Sequence, residues 1–185
     1  MIEAVGRCTD TRPALILQKS IRYANHKLFE KSKESEDYYG MGTTLVALTI
    51  DDREALAVNI GDSRLYEVTR DGIRQISEDH SLVAELVRKG EISPTQARSH
   101  PDKNIITRAL GIQEEAQIDL FPFEVEKGNR YLLCSDGLSN MVEDTQLCRL
   151  IQKDQALYDI GAELIIEANR NGGTDNIAVV LVEIE

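Results

Sequence analysis

Apolar residues recur at alternating three- and four-residue steps at Ala14, Leu17, Ile21, Ala24 and Leu28. That spacing draws one stripe on a 3.6-residue period and predicts an amphipathic helix over Ala14 to Leu28, with Pro13 suited to its first turn. The polar stretch from Lys31 to Asp37 ends the stripe and reads as a solvated loop, too short for a domain linker. Beyond it the texture turns to β. Thr43 to Ile50 and Ala55 to Ile60 are β-rich runs joined by the acidic turn Asp51 to Glu54, a hairpin pattern. Gly61-Asp62 breaks the second run, Arg64 to Thr69 resumes it, and Asp71-Gly72 marks a tight turn into Ile73 to Ile76. Four short strands with brief turns predict an antiparallel meander rather than βαβ crossovers.

Two helical pieces interrupt the strands. Ser81 to Lys89 carries Leu82, Val83, Leu86 and Val87 on one side, with Gly90 where a C-terminal cap belongs. Ser93-Pro94-Thr95-Gln96 has the form of a capping box with proline at the first helical position. Further strands are predicted at Gln117 to Phe121 and, after the Lys127-Gly128-Asn129 turn, at Arg130 to Ser135. Helices follow at Glu143 to Lys153 and Ala156 to Asn169. The last strand, Ile177 to Ile184, is apolar on both faces, which predicts a central or sandwiched position. Strands with helices packed outside them make an α+β layered domain.

Composition narrows the class. The 185 residues carry 32 acidic and 21 basic side chains, a formal net charge of −11, which argues against a nucleic-acid surface built from clustered Lys and Arg. No apolar run approaches bilayer length, so no membrane insertion is expected, and the N-terminal stretch Met1 to Asp10 has no signal-peptide core. Three widely spaced cysteines, Cys8, Cys134 and Cys148, suit neither a zinc site nor a disulfide scaffold. The expectation is one reduced, cytoplasmic, acidic domain over residues 1–185.

Three turns punctuate the strands with an aspartate: Gly61-Asp62-Ser63-Arg64, Ser135-Asp136-Gly137, and Gly172-Gly173-Thr174-Asp175-Asn176. Each taken alone is explained by turn propensity. Asp62 and Asp136 follow apolar strands, whereas Asp175 precedes one. If that last strand runs antiparallel to the other two, all three carboxylates fall at one end of the sheet. Such a cluster repels itself unless protons or hard cations balance it, and Mg²⁺ or Mn²⁺ with oxygen ligands is the natural occupant.

These segments also carry a resemblance. Gly40-Met41-Gly42-Thr43-Thr44, Gly61 to Arg64, Glu78-Asp79-His80-Ser81-Leu82, Asn104 to Gly111, Ser135 to Leu138 and Gly172 to Asn176 stand in the order found in PPM, or type 2C, metal-dependent protein serine/threonine phosphatases. Glu91-Ile92-Ser93-Pro94 through His100-Pro101 resembles the flap of that family's bacterial branch, which occurs beside transmembrane Ser/Thr kinases. The resemblance implies an antiparallel β-sandwich flanked by helices in α-β-β-α layers. It implies a water activated by bound Mn²⁺ or Mg²⁺ that attacks phosphoserine or phosphothreonine on proteins, opposing a cognate Ser/Thr kinase. Asp136 and Asp175 would be the catalytic pair that holds one core metal, and Asp62 would serve a third, weaker one. Ser63, Gly137 and Asn176 would orient those ligands from behind.

The family's opening motifs, including the Asp-Gly-x-Gly-Gly-His block whose aspartate bridges two metals, have no counterpart in the chain. Met1 to Val5 reads as the end of the helix that follows that block. The expectation is therefore a PPM-type domain lacking its N-terminal portion and the opening strands of the sandwich. Without the bridging Asp and the phosphate-binding Arg, two outcomes stay open. One is hydrolysis by the remaining carboxylates; the other is a non-catalytic pseudophosphatase, or an inactive fragment, that binds phosphoproteins or a kinase.

The remaining chemistry-bearing residues have plainer readings. The stretch around His80 is explained by Asp79 or Ser81 acting as a helix cap, and the three histidines show no metal-ligand spacing. Cys134 lies in an apolar strand with Asn140 where a Cys-x5-Arg loop needs arginine, so it reads as core. Arg64 and Arg108 can each meet either a phosphate or the acids nearby, and neither is assigned.

Overall fold

Antiparallel pairing divides seven strands between two sheets in this computed structural model, which describes residues 12–185. Strands β1 (Leu45–Asp51), β2 (Glu54–Ile60) and β5 (Asp119–Glu124) form one sheet in the order β1-β2-β5. Strands β3 (Arg64–Val68), β4 (Ile73–Gln75), β6 (Arg130–Cys134) and β7 (Val179–Glu183) form the other in the order β4-β3-β6-β7. The two hairpins are where the sequence places them, with Asp51 opposite Glu54 and Val68 opposite Ile73. The single meander is not: between β2 and β3 the chain leaves one sheet for the other. Gly61, at φ 105, and the Asp62-Ser63 dipeptide make that crossing. Glycine permits a backbone turn that no strand ladder continues.

Three apolar clusters correspond to the three interlayer spaces of an α-β-β-α stack. Helix α1 (Pro13–Ser32) lays Leu17, Ile21 and Leu28 against Leu45, Leu56, Val58 and Ile60 of the first sheet. It runs one turn past Leu28, so the expected loop begins at Lys33 and contains a short 3-10 turn at Glu36–Tyr38. Between the sheets lie Val46, Leu48, Ala55 and Ala57 from one side and Leu65, Tyr131 and Leu133 from the other. Residues of alternate parity on β3 and β6, namely Tyr66, Val68, Leu132 and Cys134, pack instead under helices α4 (Asp136–Ser139), α5 (Asp144–Ile151) and α6 (Leu157–Arg170). This period-two division is what a strand buried on both faces requires.

The last strand takes the second of the two positions its pattern allows. β7 is sandwiched between layers, with Leu181 toward the helices and Val182 toward the other sheet, but it is not central. It lies at the end of the strand order, and Val180 is 57% exposed. Apolar residues on both faces report contact above and below a strand, not neighbours on both its edges. The readings placed on Met1 to Val5 and on Cys8 lie outside the described residues. Cys134 and Cys148 are free thiols.

Two short helices complete the fold. α2 (Leu82–Arg88) is capped by the Ser81 hydroxyl, which accepts the Ala84 N–H, while Asp79 is engaged elsewhere. α3 (Pro94–Arg98) starts with the full capping box, Ser93 and Gln96 bonding each other's backbone N–H groups.

Candidate functional site

The sheet's register gathers the three aspartates. β6 is antiparallel to β3, with Arg64 opposite Cys134, and antiparallel to β7, with Cys134 opposite Val179. Asp62 just precedes β3, Asp136 just follows β6, and Asp175 precedes β7, so all three stand at one end of the four-stranded sheet. The geometry differs from the expected one in one respect. Asp62 belongs there because it leads into β3, not because it follows β2, which lies in the other sheet.

The Asp136 and Asp175 loops are fastened by Ser135. Its hydroxyl donates to the Asn176 carbonyl at 2.9 Å and accepts the Ala178 N–H at 3.0 Å, while its own N–H donates to the Ala178 carbonyl. Gly137 lets the loops meet: a Cβ there would stand 2.3 Å from the Asn176 carbonyl oxygen. Asn140, one turn along α4, donates to Asp136 Oδ2 at 3.2 Å and so fixes that carboxylate. Asn176 contributes through its backbone: its carbonyl receives Ser135 and its N–H donates to Asp175 Oδ1 at 2.7 Å. The Ser63 hydroxyl is 3.0 Å from that of Thr44, bracing the Asp62 turn against the start of β1.

Asp62 and Asp136 line a cleft of about 460 Å³ together with Ala84, Arg88, Pro94, Ala97, Arg98 and Lys103. The flap therefore lines part of the cavity. Arg98 ties it to the head of α5 through Glu143 at 3.2 Å and Asp144 at 3.6 Å. Burial, then the neighbouring Asp136 charge, pushes the Asp62 carboxyl up to about 6. Asp136 is likewise raised, by burial and then by Asp175. A carboxylate raised by burial and by a second carboxylate beside it is short of positive charge.

That deficit, together with a donor set made only of oxygens, suits a hard divalent cation. The Ser139 hydroxyl, buried on the cleft that Asp136 also lines, has no hydrogen-bond partner among the described residues. The fit is to a cation held by few protein ligands and completed by water. Among the described residues, no three His, Cys, Asp or Glu side chains stand close enough to hold a metal together.

Arg64 does not face the cleft as a free cation. Its guanidinium makes a forked contact with Asp79, Nε at 3.0 Å and Nη2 at 2.6 Å, and donates to the Tyr66 hydroxyl at 2.9 Å. Arg108 is 2.8 Å from Asp119, away from the cleft. Cys134 is excluded as a nucleophile, since burial pushes its thiol up to about 12. Sequence reasoning missed Ser135, Asn140 and Asn25. Ser135 and Asn140 flank an aspartate the sequence singles out, so spacing gave a usable signal. Asn25 gave none: it sits buried on α1, where its amide receives the Gly111 N–H and donates to the carbonyls of Gln113 and Glu114.

The family model described as Protein phosphatase 2C matches residues 7–165. The serine/threonine phosphatase stp of Listeria monocytogenes serotype 4b (strain F2365) is 43% identical over 167 residues, covering 90% of this chain and 66% of that protein. The chain thus spans just under two thirds of the length of this curated relative. Among solved structures, the serine/threonine phosphatase Stp1 from Staphylococcus aureus is 35% identical at a TM-score of 0.90, covering 96% of this chain and 70% of that one. The catalytic domain of the serine/threonine protein phosphatase PstP, in complex with two manganese ions, is 32% identical at a TM-score of 0.88 and covers 100% of this chain and 77% of that one.

Proposed function

This chain belongs to the protein phosphatase 2C family, and on that premise we propose that it hydrolyses phosphoserine and phosphothreonine on proteins. The observation that carries the reading is the juxtaposition of Asp62 and Asp136 in one cleft, each with a raised pKa. Asp136 and Asp175 are read as the residues that hold a Mn²⁺ or Mg²⁺ ion, with Asp62 serving a weaker site. Bound there, the metal would supply a water acidic enough to attack phosphorus near neutral pH and would offset charge on the phosphoryl oxygens. The chain's own part is positional. Asn140 aims the Asp136 carboxylate, Ser135 and Gly137 hold the Asp175 loop against it, and Lys103 on the cleft wall presents positive charge to an incoming phosphate, while Arg98 is engaged by Glu143 and Asp144. Residues 1–185 are read as one functional unit, acting in the cytoplasm and opposing a Ser/Thr kinase.

A second reading is kept because of one observation: the described residues assemble no three-residue metal-binding group. On that reading the cleft binds phosphoproteins or a kinase without turnover. Hydrolysis of an aryl phosphate and of a phosphothreonine peptide, with and without Mn²⁺, separates the two. Metal-dependent turnover abolished by Asp136→Asn supports hydrolysis; a folded chain that binds the phosphopeptide without turnover supports the second reading.

A further inference from the structure

The Gly61-Asp62-Ser63 crossing has to satisfy its peptide groups without a strand ladder, and a buried histidine does this for both peptide groups of Gly61. Gly61 donates its N–H to His80 Nδ1 at 3.1 Å, and the His80 backbone N–H returns a 2.9 Å bond to the Gly61 carbonyl. The side-chain amide of Asn59 donates to the same carbonyl at 3.1 Å. A Cβ on Gly61 would be 2.3 Å from Thr44 Cγ2, so the peptide is also pressed from the opposite side. The turn that carries Asp62 therefore has little room to drift.

His80 is only 2% exposed and does not line the acidic cleft. Because Nδ1 accepts, the ring proton sits on Nε2, which donates to Asp119 Oδ2 at 2.9 Å. Arg108 Nη1 donates to the other oxygen, Asp119 Oδ1, at 2.8 Å; it also stands 3.2 Å from His80 Nε2, so the two donors face each other across the carboxylate that accepts from both. Burial would raise the Asp119 carboxyl, but the His80 hydrogen bond and the Arg108 charge outweigh it, and the group is held below its usual range. A firmly ionised Asp119 keeps the Nε2–H tautomer, and that tautomer keeps Nδ1 open for Gly61.

We infer that His80 is a positioning residue for Asp62, acting through the Gly61 peptide and kept in the required tautomer by the Asp119–Arg108 pair. The inference rests on reading Asp62 as a metal-holding residue.

Two substitutions of similar size split the histidine's functions. Asn at 80 places an acceptor near the Nδ1 position but loses the reach to Asp119. Gln at 80 reaches Asp119 but has no acceptor for Gly61. Mn²⁺ binding by titration calorimetry, thermal stability, and hydrogen exchange at the Gly61 amide are measured on the wild type and both variants. His80→Gln is expected to lose about tenfold in Mn²⁺ affinity and most Gly61 protection, and His80→Asn to keep both near wild type at a similar melting temperature. Equal affinities and equal Gly61 protection in the two variants would overturn the inference. If the wild type takes up no Mn²⁺, the metal-dependent reading of the site fails, while the exchange data still decide the clamp. Should either variant not fold, Asp119→Ala tests the same chain from its partly exposed end. Partial loss of Gly61 protection and of affinity supports the inference, and no change in either overturns it.

Discussion

Alanine at position 137 sets two physical effects against each other. Gly137 lies inside α4, where alanine is intrinsically better than glycine by about 1 kcal/mol. Yet the added methyl would lie 2.3 Å from the Asn176 carbonyl oxygen and 3.0 Å from its carbon. Ordinary contact begins near 3.4 Å, so backbone on one side must retreat by about 1 Å. That retreat strains the bonds that Ser135 makes to Asn176 and Ala178, each worth about 1 kcal/mol, on top of about 1–3 kcal/mol for overpacking. Packing therefore wins, and Gly137→Ala should be destabilised by about 2 kcal/mol net, or about 4–8 °C in melting temperature for a chain of this size. Gly161 is the control. It lies in α6 with nothing within 4 Å of a built Cβ, so Gly161→Ala should gain about 0.5–1 kcal/mol. Urea unfolding measures both. Mn²⁺ titration of Gly137→Ala should also weaken, because the displaced loop carries Asp175. Wild-type stability and wild-type Mn²⁺ affinity in Gly137→Ala would refute the reasoning.

Ser135→Ala leaves the Asn176 carbonyl and the Ala178 N–H without their shared partner and should cost about 1–2 kcal/mol, read by urea unfolding. Asp62 has a folded pKa raised from 3.8 to about 6, so its stabilising contribution is complete below pH 3.8 and is lost as pH rises through about 6. In EDTA, wild type minus Asp62→Asn should therefore become less favourable by about 1 kcal/mol between pH 4 and 7, a figure discounted for partial exposure. A flat difference across that range, measured by thermal melts, would count against the burial argument. Asp79→Ala strands the Arg64 guanidinium beside Tyr66 and should destabilise by about 3 kcal/mol, whereas Arg98→Ala, which loosens an exposed latch, should cost under about 1 kcal/mol while speeding proteolysis within residues 91–103.

Local patterning carried much of the architecture. The α1 stripe, both hairpins and the Ser93 capping box follow from side chains within a few residues of each other, and each forms where its spacing places it. The three aspartate turns were legible for the same reason: small and acidic residues at the ends of apolar runs announce themselves. Which sheet each strand joins was not legible. The break at Gly61-Asp62 looks like any other turn, and that β3 pairs with β4 and β6 rather than with β2 is decided by a partner strand more than sixty residues away in sequence. For β7 the two apolar faces announced the layers above and below, and nothing in its own composition reported its edge position.

Long-range polar contacts lie furthest from the chain's own pattern. Arg64 and Asp79 are fifteen residues apart, His80 and Asp119 thirty-nine, and Asn25 and Gly111 eighty-six. A hydrogen bond is directional and short, so whether an arginine meets a phosphate or a buried aspartate depends on ångström-scale placement that periodicity does not encode. Hydrophobic burial, being nearly non-directional, needs only the right residue type at the right period. The amino-acid order was therefore sufficient for most of the elements and for the three carboxylate turns, while the division into two sheets, the commitment of Arg64 to Asp79 and the grip of His80 on Gly61 came into being only when the chain closed on itself.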